Sequence, residues 1–342
     1  FKRDINDPQT LADFIAQVQS VERLRLLLVL TAADIRAVGP GRWNAWKGGI
    51  LRELYYRAEE VLTGGHEAEG KAARVAAAQD ALRVTLDDWL GEDIGRFTGR
   101  LFPPYWLAFD SATHARHARL VRDADARGAL LELDTRVDEK RAATEITLYA
   151  KDQAGMFAAV AGAMAAAGAS IVDAKVFTTS DGMALDGFWV QDATGGPFDD
   201  EEKLARMLSL LEQALAGDGA LDSVLHSKHV LPARRHALHI TSRVLVDNRA
   251  SSQHTLVEIN GRDRPGLLYD IGRALTELGL SIVTAHVSTY GAQAVDVFYV
   301  KDRYGLQVTK NAEIERVRTR LLAALDEPGV GAKPAAVTAA AE

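Results

Sequence analysis

The sequence predicts an α+β chain, with an all-helical first third followed by two copies of a small sheet-and-helix module. Three observations predict it. Apolar residues recur at three-and-four spacing up to about Asp125, the period changes to strand-like alternation near Ala142, and one stretch of sequence then repeats. Asp263-Arg264-Pro265-Gly266-Leu267 lies over Asp152-Gln153-Ala154-Gly155-Met156 at an offset of 263 − 152 = 111, and past the hairpin Asp296-Val297-Phe298-Tyr299 lies over Asp186-Gly187-Phe188-Trp189 at 110. Two copies are too few for a solenoid, which needs about three, so the modules are expected to pack on each other.

In the first third, Leu11, Phe14, Ile15 and Val18 mark one buried helix face, and Val21, Leu24, Leu28 and Ile35 mark the next. Gly39-Pro40-Gly41 stops that helix. Trp43, Trp46, Ile50, Leu54 and Val61 carry another, which ends at Gly64-Gly65. An Ala-rich helix follows from Lys71 to Leu90, and Phe102-Pro103-Pro104-Tyr105-Trp106 is a stiff aromatic turn or short helix start. In the first module, Thr144 to Ala150 alternates as a strand, Gly155 to Ala167 is a small-residue helix, and Ser170 to Thr178 is a strand. Gly182 then marks a hairpin, Leu185 to Gln191 is a third strand, Asp199 to Leu215 is a helix, and Ser223 to Val230 is a candidate closing strand. That order is βαββαβ, the ferredoxin-like order. The second copy runs through His254–Asn260, Gly266–Leu278, Ser281–Thr289, Ala294–Lys301 and Ala312–Leu325. The boundaries are therefore a helical segment over 1–130, a first module over 143–225, a basic connector over 226–252, a second module over 253–330 and a loose tail over 331–342. Within the connector "HALHITSRVLVD" offers a strand, beside the plainer reading of a solvated linker.

Composition narrows the function. The 342 residues are 47% apolar and 25% charged, ordinary for a globular chain. The absence of cysteine removes disulfides and cysteine-ligated zinc. A net charge of −7 argues against nucleic-acid binding, and no apolar run approaches the roughly 20 residues of a membrane span. A cytoplasmic protein is expected, and a start at Phe1 suggests a longer parent chain.

The Asp-x-x-Gly turns place backbone N–H groups at a helix N-terminus, which favours an anionic group, a carboxylate at least as well as a phosphate. The plainer reading is that Gly155 and Gly266 only permit a tight turn, and spacing alone leaves both open. Neither phosphate-binding glycine motif is present. Phe188-Trp189 and Phe298-Tyr299 read as core, because adjacent strand residues face opposite sides. The pairs His114/His117, His226/His229 and His236/His239 share helix-like spacing but have no carboxylate cluster for a metal, and no catalytic motif is visible.

The repeated Asp152-x-x-Gly155 and Asp263-x-Pro265-Gly266-Leu267 units resemble ACT domains, modules that bind amino acids at pairwise interfaces. "VERLRLLLVLTAADIRAVGPGRWNAWKGGILRELY" (Val21 to Tyr55), "FPPYWLAFD" (Phe102 to Asp110) and "NGRDRPGLLYDIGRAL" (Asn260 to Leu275) resemble the C-terminal part of the bifunctional uridylyltransferase/uridylyl-removing enzyme family. The resemblance covers nearly the whole chain. It implies the end of an HD hydrolase domain followed by tandem ACT domains that report glutamine. In the parent enzyme a nucleotidyltransferase domain takes UTP and adds UMP to PII signalling proteins, and the HD domain removes it. The transferase motif and the His-Asp doublet are absent here, so no catalytic residue is assigned. Asp34 in "LTAADIRA" matches the last HD ligand for magnesium or manganese. For glutamine, the resemblance implies its carboxylate near Gly155-Met156 or Gly266-Leu267 and its ammonium at Asp152 or Asp263. Val172-Asp173 or Val283-Thr284 then read the remainder. The first turn departs from the second, with Gln153-Ala154 in place of Arg264-Pro265. The alternatives are a stand-alone ACT amino-acid sensor that controls a partner protein, or an ACT-controlled biosynthetic enzyme, for which the helical third offers no cofactor fold.

Overall fold

The computed structural model describes residues 8–37, 45–62, 67–139, 141–216, 240–251, 253–287, 289–290 and 293–326. The Gly39-Pro40-Gly41 and Gly64-Gly65 stops, the candidate closing strand at 223–230, the His226/His229 and His236/His239 pairs and the tail lie outside these residues.

Helices α1 (Pro8–Val18), α2 (Val21–Ala37) and α3 (Ala45–Leu62) form a bundle with its own core of Leu11, Val18, Leu24 and Ala58. A second group comprises α4 (Glu67–Thr85), α5 (Gly91–Gly99), α6 (Pro103–Ala108) and α7 (Ser111–Arg127). Pro103 opens α6, where a missing N–H costs nothing. Asp110 caps α7 by accepting from Thr113 N–H at 2.8 Å, and Gly128 ends it at φ +62°.

The first module contains β1 (Leu131–Asp138), β2 (Ala143–Lys151), α8 (Met156–Ala167), β3 (Ser170–Lys175), β4 (Met183–Gln191) and α9 (Glu201–Leu215). The second contains β5 (Arg243–Asp247), β6 (Thr255–Arg262), α10 (Leu267–Glu277), β7 (Ser281–His286), β8 (Thr289–Tyr290), β9 (Gln293–Lys301) and α11 (Asn311–Asp326). The α+β class holds, and the fourth strand of each module comes from an unexpected direction. β1 and β5 precede their modules and pair with β2 and β6, the edge that a closing strand takes in a βαββαβ unit. β5 lies within the segment read as a connector, in the "HALHITSRVLVD" stretch.

One sheet runs β1-β2-β4-β3-β7-β9-β6-β5, with β8 paired to β9. The modules join edge to edge through antiparallel β3 and β7, with Asp173 opposite His286, Ala174 opposite Ala285 and Lys175 opposite Thr284. Both seam strands carry a bulge at the equivalent place, so Val172 and Val283 are the extra residues.

Period-2 alternation divides the side chains between the two faces. Ile146, Leu148, Phe188 and Phe298 join α8 to α11 in one core that runs through both modules. On the opposite face Tyr149 and Leu185 meet Phe97, Tyr105 and Trp106 of the helical segment. Leu256, Val297 and Tyr299 pack there with Ala250. Both members of each aromatic pair are buried, as expected of core residues. α8 is apolar nearly all round because neighbours enclose it. Its contact with α10 is backbone-close. A Cβ at Gly272 would stand 3.1 Å from Ala158 Cα and 3.1 Å from the Phe157 ring. Gly272→Leu is therefore expected to force the helices apart and to cost about 1–3 kcal/mol, read as a lower urea midpoint.

Candidate functional site

Each Asp-x-x-Gly turn ends in a glycine at positive φ, +84° at Gly155 and +76° at Gly266, which then serves as the helix N-cap without a side-chain cap. The first helical N–H closes the turn instead. Met156 N–H donates to Gln153 O at 3.2 Å and Leu267 N–H to Arg264 O at 3.1 Å. These two amides are thus engaged internally, and a ligand at either turn meets other N–H groups of the first helical turn. A Cβ at Gly155 would lie 3.8 Å from Thr276 Cγ2 on α10, so the first turn faces the other module.

Asp152 is exposed, accepts from the Thr178 hydroxyl at 2.7 Å, and ties its own N–H to Gly182 O at 3.1 Å. Two residues before Thr178, Val176 N–H donates to Val283 O at 3.0 Å. The structure thereby assembles Asp152, Gly155 and the Val283 backbone around one end of the seam. Asp263 is likewise exposed in the second turn. The difference between the turns has a structural reason. Arg264 pairs with buried Asp270 at 2.5 Å and donates to Ala324 O at 2.9 Å, near the end of α11. Asp270 is Ala159 in the first copy, and there Gln153 Nε2 reaches Leu215 O at the end of α9, at 3.4 Å. Both residues tether the turn to the last helix of the module.

Asp173 and Thr284 sit elsewhere. Their side chains are buried on the sheet face away from α8 and α10, where Asp173 Oδ1 is 3.0 Å from His286 Nδ1 and also accepts from Ala174 N–H. Val172 packs on that same face beside Trp189. These positions are brought to the seam but are separated from the turns by the thickness of the sheet.

One residue of the first turn's surroundings escaped the sequence reading. Asp186 is buried on the helix-facing side of β4 and accepts from Phe177 N–H at 3.0 Å. Burial pushes its carboxyl up to about 8, against that hydrogen bond and with a further push from the charge of Asp152. Asp296 is its repeat partner and is also buried. The recurrence of an aspartate within two apolar strands was the available signal.

Asp34 is exposed on α2. A divalent cation of the magnesium class takes about six oxygen ligands, and no group of three or more His, Cys, Asp or Glu occurs among the described residues. The residues present do not by themselves fit the metal. His114 and His117 are buried in an aromatic cluster with Tyr105 and Trp106. His117 Nδ1 lies 2.9 Å from the Tyr105 hydroxyl and its Nε2 lies 3.1 Å from Thr147 Oγ1. Burial holds His117 well below its ordinary value and lowers His114 to about 4, so both rings are neutral core members. No helix among the described residues is long and apolar enough to cross a membrane.

Comparison with known proteins agrees with the fold. The profile described as "ACR9-like, ACT-like domain" matches residues 243–329, opening on β5. The chain is 53% identical over 330 residues to a bifunctional uridylyltransferase/uridylyl-removing enzyme of Azospirillum brasilense, covering 96% of the chain and 35% of the relative. It is 47% identical over 331 residues to an enzyme of the same name from Gluconobacter oxydans, covering 95% and 35%. The like-named enzyme of Rhodospirillum rubrum is 46% identical over 328 residues, covering 96% and 35%. The chain thus spans about a third of the length of the curated relatives it matches, and the expected family likeness stands.

Two pH dependences follow. The folded state keeps a proton on Asp186 that the unfolded chain releases near its ordinary 3.8, so this contribution is fully present below 3.8 and lost as pH rises through about 8. Asp186→Asn is expected to raise the melting temperature by at least about 2 °C at pH 8 and to change it little at pH 4. The histidines act in the opposite sense, because the unfolded chain binds their protons near 6.5 and the folded chain resists until about 4 for His114. Thermal melts are expected to decline as pH falls from 6.5 towards 4, and His114→Phe to blunt that decline.

Proposed function

We propose that this chain, similar over nearly its whole length to about a third of the bifunctional uridylyltransferase/uridylyl-removing enzymes, is the glutamine-sensing portion of such an enzyme. The parent would transfer UMP from UTP to PII signalling proteins and hydrolyse it off again. Its transferase site and most of its hydrolase site would lie on other residues than these. Magnesium or manganese would belong to that machinery, to which Asp34 contributes at most one carboxylate. The alternative of a stand-alone amino-acid sensor shares the ligand and differs only in the partner it controls.

The observation that carries the reading is the seam, where two homologous modules share one sheet and the first turn faces the neighbouring module. A free amino acid is a zwitterion. An exposed aspartate beside a helix N-terminus offers an acceptor for the ammonium and a positive dipole end for the carboxylate. Asp152 and Asp263 take the first role, and the first-turn amides following Gly155 and Gly266 take the second. The backbone at the bulges, Val172 and Val283, rather than the side chains on the far face, would read the side-chain amide.

Binding acts on the rest of the enzyme by favouring one relative arrangement of the modules, which requires a difference in affinity between states of about 1–3 kcal/mol. β3 is suited to carry it. On one face it holds the cross-seam contact of Asp173 with His286, and two residues later Lys175 Nζ donates to Ala108 O at 2.8 Å, at the end of α6. A shift at the seam is thereby a shift at the helical segment.

Calorimetric titration of the chain tests the ligand. Glutamine is expected to bind at least ten-fold more tightly than glutamate, with Asp152→Asn and Asp263→Asn each weakening binding at their own turn. Equal affinity for glutamate, or no glutamine heat at all, overturns the assignment.

A further inference from the structure

A cavity of about 450 Å³ lies on the sheet face opposite the turns, where three bodies of the molecule meet and where Lys175 of the seam strand β3 forms part of the lining. Its walls come from α3 of the first bundle (Arg57), the α6–α7 junction (Phe109 and Asp110), the β1–β2 hairpin (Arg136, Asp138, Arg141 and Glu145), and β3 and β4 (Lys175 and Trp189). The volume falls in the range of small-molecule sites, about 300–1,000 Å³.

The charges in it are unequal. Four cationic side chains face three carboxylates, and groups of both signs have protein partners, Arg57 donating to Leu107 O at 3.5 Å among them. Asp110 caps α7, and Asp138 holds Arg141 Nε at 3.6 Å and its backbone N–H at 3.1 Å. Glu145, only 3% exposed, is 2.9 Å from Arg116, which stands outside the cavity wall, and 3.9 Å from Arg136. The floor is rigid. Lys175 is buried, fixed on Ala108 O, and lies 5.4 Å from both the Phe109 and Trp189 rings. Burial alone would push the Asp110 carboxyl up, yet the Thr113 hydrogen bonds and the nearby Arg136 hold it below its ordinary value, in keeping with a positive surrounding.

We propose that this cavity is a second effector site, which takes a small metabolite through a carboxylate or phosphate group held by Arg57, Arg136 and Arg141. Planar guanidinium groups match either oxyanion in bidentate fashion. Arg57 belongs to the α1–α3 bundle, whose core is its own, whereas Arg136 and Arg141 belong to the first module. An anion that bridges them clamps the bundle to the sensor and adds an input at a place distinct from the turns, next to the Lys175–Ala108 contact.

The test is calorimetric titration of the intact chain with inorganic phosphate and, separately, with succinate. At least one is expected to bind saturably, with affinity lowered ten-fold or more by Arg136→Gln, by Arg141→Gln and by Arg57→Gln. Circular dichroism checks each variant's fold. Because Arg141 also braces its hairpin, Arg57→Gln, on a different body, gives an independent reading. Saturation by phosphate alone assigns a phosphate-bearing ligand, and by succinate alone a carboxylate-bearing one. No saturable binding of either anion, or binding that the folded variants leave unchanged, overturns the site whatever the outcome with glutamine.

Discussion

The antiparallel pairing of β3 with β7 is the interaction on which the rest of the architecture depends. It turns two half-sheets into one continuous sheet, with Asp173 to Lys175 of one central edge paired to Thr284 to His286 of the other. It also sets the helices side by side, so that Gly272 meets Ala158 with no room for a larger side chain. The single core through both modules follows from that geometry, with Phe157 of one packed edge-on against Phe298 of the other at 6.0 Å. Neither module has a complete interior alone, since the same core cluster draws residues from both.

The two modules are alike in backbone and unlike in surroundings. The first offers its outer sheet face to α4 to α7, where Tyr149 and Leu185 enter an aromatic core with Tyr105 and Trp106. The second packs Leu256, Val297 and Tyr299 with Ala250 from the connection before β6. The same asymmetry appears at the seam. Asp173 and Lys175 of β3 stand where β7 has Thr284 and His286, so the contact across the boundary joins Asp173 to His286 while Lys175 reaches towards the helical segment. The repeat accounts for the symmetry, and the residues that differ between the copies join the first of them to the helical segment.

Much of the fold was legible in the residues. The alternation of Thr144 to Ala150, the glycines at 155 and 266, and the 111-residue repeat locate strands, turns and helices that the structure contains. Of the two edge strands, β5 falls in the "HALHITSRVLVD" stretch that offered a strand beside the linker reading, whereas β1 was not read as a strand. Leu131 to Asp138 does alternate, with Leu131, Leu133 and Val137 set among charged residues, so the strand period was present, but the segment lies before the repeated unit and nothing along the chain marks β2 as its partner. The site was legible in part. The spacing located both turns, but it gave no warning that Met156 and Leu267 N–H close those turns, or that Asp173 points through the sheet, because hydrogen-bond partners and faces depend on register.

Local periodicity, turn chemistry and repetition belong to the chain itself, and they determined the class of fold, the duplication and the identity of the turn residues. Other features arise from groups far apart in sequence brought together in space. The edge-to-edge joining of the modules, the burial of Asp186 beside Asp152 and the meeting of Arg57 with Arg136 and Arg141 are all of this kind. Tertiary structure alone decided them, since desolvation and charge proximity act through space and leave no mark on the spacing of residues along a chain.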